Sequence, residues 1–196
     1  MGNIYKHQKQ YEDAVSCYEK AVQMSKNHTE FLQNELSKTQ VKRTRQKIKE
    51  EIRNSEIIQA NRERQLGRSL SDLVFAKQIP KNSETCSKAT EHFENAKKFY
   101  EKYNVNHSEM IEIFIAISDL HFFQKKYQLG EEVINQAIDL FKIWRSQQIQ
   151  FDEPPESILN QNLLFQKGLS YMYTEQNTLA IDAFNSSLVA YFLNVC

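Results

Sequence analysis

Glycine and proline are nearly missing from this sequence, with 4 and 3 residues in 196. Turn-rich β folds need glycine for positive φ and proline for fixed turns, so their scarcity argues for long helices. Cysteine is sparse as well. Cys17, Cys86 and Cys196 lie far apart, are odd in number and form no CxxC pair. That rules against a disulfide framework or zinc knuckle and points to a reducing, intracellular and cytoplasmic setting. No apolar run reaches the length of a membrane span, and the most apolar one, over 111–123, is broken by Glu112 and Asp119. An excess of one charge is also lacking: 25 basic against 25 acidic residues leave no net pull toward nucleic acid or an anionic membrane.

The usual signs of catalysis are absent too. His7, His28, His92, His107 and His121 show no HxxxH, HExxH or Glu-x-x-His spacing, which would place ligands on one helical face. No glycine-rich phosphate loop and no G-x-S-x-G elbow occurs. Cys17 and Cys86 fit small packed thiols better than nucleophiles. No enzyme activity, cofactor, metal or catalytic residue is expected.

What is present is a repeat. Three segments share one spacing of residues: Gly2, Ala14, Tyr18 and Ala21; Ser118, Gly130, Ile134 and Ala137; Gly168, Ala180, Phe184 and Ser187. Small residues at such steps let antiparallel helices approach closely, and the large residue fills the gap beside them. Tyr5 and Tyr171 lie one turn after Gly2 and Gly168. A weaker copy ends in Ala89, Phe93 and Ala96, with a first helix over 66–76 presenting Leu70, Ser71 and Val74. An enlarged loop around Pro80 separates its helices, with Asn82 or Ser83 as N-cap. This pattern resembles the tetratricopeptide repeat, a helix-turn-helix unit of about 34 residues. His121 and Lys167 depart from its usual aromatic and aliphatic places.

The resemblance implies an all-α fold: a tetratricopeptide-like α-solenoid of antiparallel helix pairs with one long charged helix. Its expected divisions are a partial repeat over 1–28, a long charged helix or degenerate repeat over 29–63, and a degenerate repeat over 64–104. A repeat over 108–145, a linker over 146–155 and a last repeat over 156–194 follow. Pro155 is placed to open the last of these. Met1 falls inside a first helix and Cys196 follows a finished repeat without a polar cap, so a fragment of a longer array is expected.

Such arrays serve as protein-binding scaffolds, and the resemblance places Glu112, Ile115, Asp119, Phe122, Asn162, Phe165, Leu169 and Met172 on a concave, partner-binding face. Exposed Phe122, Phe165 and Met172 would suit an extended or helical peptide; packing against a neighbouring repeat is the competing role. The family's carboxylate clamp is not expected, because only Asn3 occupies such a place while Glu112, Ala116, Asn162 and Gln166 take the others.

Residues 29–63 lack the small-residue signature, and over 38–68 ten basic residues face four acidic ones, a net of +6. Lys42, Arg43, Arg45, Lys47 and Lys49 form either a docking stripe for an acidic partner or a solvated face with pairs such as Lys47–Glu51. No aromatic lies between Phe31 and Phe75 to stack on bases, so nucleic acid is a poor fit. A self-associating coiled-coil element and a regulatory module of a larger protein remain alternative roles.

Overall fold

The computed structural model describes residues 10–77, 79–80, 83–104, 107–147 and 156–195. Gly2, Asn3, Tyr5, Asn82, Pro155 and Cys196, singled out above, lie outside the described residues. Seven α-helices and no strand are present among those described. They fall into two compact units, Met1–Val105 and Asn106–Cys196.

The first unit holds α1 (Tyr11–Lys38), α2 (Lys42–Ala76) and α3 (Glu84–Tyr103). The stretch 29–63, expected as a long charged helix or a degenerate repeat, spans the end of α1 and the first part of the 35-residue α2, which are separated by Thr39, Gln40 and Val41. Thr39 and Val41 are extended, at φ −86°, ψ 124° and φ −72°, ψ 117°. Neither Gly nor Pro makes this break. Branching at Cβ lowers helix preference at both residues, and Arg45 Nη1 then closes the turn on the Thr39 carbonyl at 3.0 Å. Asn54 and Ser55 lie inside the unbroken α2.

Matched polar contacts set the register of the α1–α2 hairpin. The Thr29 and Ser55 hydroxyls are 2.8 Å apart, and Arg62 donates to the Ala21 carbonyl at 2.9 Å. On the other side of α2, a Cβ added to Gly67 would stand 2.9 Å from the Phe93 ring, so the helices meet where α2 has no side chain. Ala89, Phe93 and Ala96 are all buried there. Ser83 caps α3 by accepting from the Cys86 amide at 3.4 Å, and Asn104 ends it in the left-handed region at φ 47°.

The second unit holds α4 (His107–Phe123), α5 (Tyr127–Gln147), α6 (Glu156–Tyr173) and α7 (Asn177–Val195). Its two helix pairs are joined by turns of the same construction. Lys125 and Glu175 take φ 61° and 63°, and the next amides, of Lys126 and Gln176, both bond back to His121 and Tyr171 carbonyls at 2.8 Å. This is the bond pattern of a Schellman turn, with a charged residue where glycine is usual. The helices close over small residues. A Cβ on Gly130 would lie 2.3 Å from Phe122, and one on Gly168 2.5 Å from Phe184. Ser118 donates to the Gly130 carbonyl at 3.1 Å, making its small side chain a tie as well as a gap.

Candidate functional site

α4 and α6 are first helices of successive pairs, and Asp119 accepts a 2.8 Å hydrogen bond from Gln166 between them. Around this tie the expected face is mixed in exposure. Glu112 and Asn162 are exposed, Ile115, Asp119 and Leu169 are half-buried, and Phe165 and Met172 are 48% and 43% exposed. Phe122 differs from expectation, being only 7% exposed. Its ring occupies the space left by Gly130 and meets Tyr173 at 5.5 Å between centroids, so it supports the face instead of lining it. Tyr173, overlooked in the sequence, is 39% exposed and stacks on Tyr127 at 4.7 Å.

Burial pushes the Asp119 carboxyl up to about 6, with the Gln166 amide pulling the other way. The face therefore holds a carboxylate that water solvates poorly and that has a neutral amide for company. A charge so placed favours a cation or a further donor from a bound molecule. The carboxylate-clamp places fit this polarity badly: Glu112 is acidic, Ala116 half-buried, and Gln166 is already engaged with Asp119. Lys167, at a usual aliphatic place, is explained by neighbours on α5 and its own helix. Its amine reaches Asn135 at 2.7 Å and Glu131 at 3.3 Å and lies 4.4 Å above the Tyr171 ring.

The other candidate lies in the first unit. Lys42, Arg43, Arg45, Lys47 and Lys49 are all exposed on the first turns of α2. Among the described residues none of the five forms an ion pair, and the Lys47–Glu51 pair of a solvated face is not made. A shallow depression of about 330 Å³ is lined by Gln46, Lys49, Glu50 and Arg53. Glu50 and Glu51 stand exposed among these cations, whereas the buried carboxylates of the same helix, Glu56 and Glu63, are further along and engaged. Glu56 pairs with Lys102 and the Tyr103 hydroxyl. Glu63 is fully buried, 2.6 Å from His92 Nδ1 and 3.3 Å from Lys26 Nζ. Burial alone would raise the Glu63 carboxyl, but the bond from His92 and the Lys26 charge outweigh it and hold it below the ordinary range. This group ties three helices and faces no opening. Cys86 is buried and Cys17 half-buried, and no group of three or more metal-ligating side chains occurs among the described residues.

Paired antiparallel helices, repeated with small residues at matching places, define a helical-repeat protein. The particular repeat has a counterpart among known families: the family model for the tetratricopeptide repeat matches residues 1–28, and the described helices make the fold all-α. Of the matched stretch, residues 11–28 lie in α1, which continues to Lys38. No curated protein and no solved structure matches the chain. Tetratricopeptide repeats are in general protein-interaction modules, and no described helix is long and apolar enough to cross a membrane.

Proposed function

We propose that this protein is a non-catalytic scaffold that holds a peptide or helix of a partner protein against the α4–α6 face of its second unit, in a cytoplasmic setting. One observation carries the reading. Phe165, Met172 and Tyr173, each more than a third exposed, belong to α6, the helix whose Gln166 donates to the half-buried carboxylate of Asp119 on α4. Large apolar side chains left in water beside a poorly solvated charge favour a ligand that covers both. Glu112, Ile115, Asn162 and Leu169 extend the contact, and Phe122 acts from beneath by holding Tyr173.

The test is selection of peptides from a random display library on the full chain, followed by affinity measurement. Phe165→Ala and Met172→Ala are expected to weaken the selected peptides about tenfold each. Ile181→Ala, on the 59% exposed side of α7, should leave them unchanged. Peptides indifferent to the first two changes would move the binding elsewhere. A self-associating role has one observation in its favour, the exposed Ile181, Leu188 and Val189 on α7. A mass that rises with concentration and falls on Leu188→Glu would establish it.

A further inference from the structure

The face of α2 that meets α3 can be followed residue by residue. Arg53 lies 5.7 Å from the Tyr103 ring, Glu56 pairs with Lys102 and Tyr103, Glu63 with His92, and Gly67 receives Phe93. Steps of three, seven and four residues keep these on one side of a helix. Carried backwards from Arg53 in steps of four, four and three, the same side presents Lys49, Arg45 and Lys42. There α3 has already ended at Tyr103, with Asn104 turning the chain out of the helix. Some 16 Å of α2 therefore runs on past the end of α3, with α1 as its remaining neighbour among the described residues of the first unit.

The charge of this side changes where the cover stops. Under α3, α2 offers carboxylates, Glu56 and Glu63, and the covering helix answers with Lys102 and His92. Beyond α3 it offers cations that nothing among the described residues answers with a carboxylate. The border of the stripe is apolar and incompletely covered: Leu36, Ile48 and Ile52 are half-exposed, whereas Leu32 nearer the core is buried. Two helices alone cannot close such a seam, and a third of opposite charge would complete the three-helix arrangement already present further along α2.

We infer that the free end of the α1–α2 hairpin is a second docking site, and that its occupant is an acidic amphipathic helix of a partner protein. Its carboxylates recur at three- and four-residue steps against Lys42, Arg45 and Lys49, and its apolar side covers Leu36, Ile48 and Ile52. The apolar border favours this occupant over a nucleic acid, whose phosphates would leave those side chains in water. The site is separate from the α4–α6 face and stands or falls without it.

The probe is a fluorescent helix of about 16 residues with Glu on one side and Leu on the other. It is compared on the full chain with a scrambled peptide of equal composition and with a short DNA duplex. Anisotropy should show the helix binding, with affinity lost about tenfold in the Lys42→Glu/Lys49→Glu variant and reduced by added salt. Both lysines are exposed and unpaired, so the variant should keep its circular dichroism and hydrogen-exchange pattern. Exchange protection by the peptide should fall on 32–53. Equal binding of the scrambled peptide, tighter binding of the duplex, protection elsewhere, or no binding would each overturn the inference.

Discussion

The two units use the same close approach between helices but differ in what they do with helix length. In the second, no helix exceeds 21 residues, and α4 and α6 are turned back by matching Schellman turns. In the first, α1 and α2 run to 28 and 35 residues while α3 stops at 20. Gly67 against Phe93 sets one spacing there much as Gly168 against Phe184 does in the second unit. What differs is the remainder: a hairpin that outruns its third helix and carries a buried charge, Glu63, within its apolar packing. Small residues thus determine how near helices come, and helix length determines what is left uncovered.

The comparison can be broken most forcefully at Phe93. Truncation of this 1% exposed ring to alanine should cost about 3–5 kcal/mol, confined to the first unit. Trp144, the only tryptophan, reports the second unit through its fluorescence. Denaturant should then lower the circular dichroism early while Trp144 keeps its midpoint. Midpoints moving together would make the two units one cooperative body.

Acid sharpens the contrast, since buried Glu63 and half-buried Asp119 have opposite shifts. Glu63 is held below its ordinary 4.5, so its stabilising contribution is present above that value and lost as pH falls through its folded pKa. Asp119 is raised from 3.8 to about 6, so its unit loses stability as pH rises between those values and changes little above them. The Asp119 effect is at most about 3 kcal/mol. Asp119→Asn should raise the Trp144 midpoint at pH 7 and leave it near the parent's at pH 3.5. A gain of equal size at both pH values would contradict the assignment.

Smaller effects follow from the backbone. Gly168→Ala forces the Phe184 ring aside and should cost about 1–3 kcal/mol, read from the same fluorescence. Lys125→Gly and Glu175→Gly free two residues from the left-handed region and should each add about 1 kcal/mol. A loss at either turn would mean that those side chains contribute more than their backbone strain costs.

Spacing made much of the fold legible. The Ala89, Phe93 and Ala96 steps marked a second helix because close packing permits little else there. Gly67 escaped notice, although Leu66-Gly67 with Leu70 one turn on resembles Gly168 with Tyr171. The connection over 77–83 lengthens its distance to Ala89 beyond the regular step. The break at 39–41 was hidden for another reason, since it depends on Arg45 folding back onto Thr39 instead of on a breaker residue. Periodicity put Phe122 on the correct helix, but its burial depends on Gly130 and Tyr173, which lie on other elements. The Asp119–Gln166 tie joins residues 47 apart, a distance over which no local pattern carries information.

The central functional claim, that a partner protein lies on the α4–α6 face, is tested most directly by site-specific photo-crosslinking. A photoreactive amino acid would be placed at Met172 in one full-length variant and at Ile181, on α7, in another. The account predicts a discrete crosslinked polypeptide at position 172, competed away by the display-selected peptide, and none at 181. Equal capture at both positions, or capture at 181 alone, would contradict it.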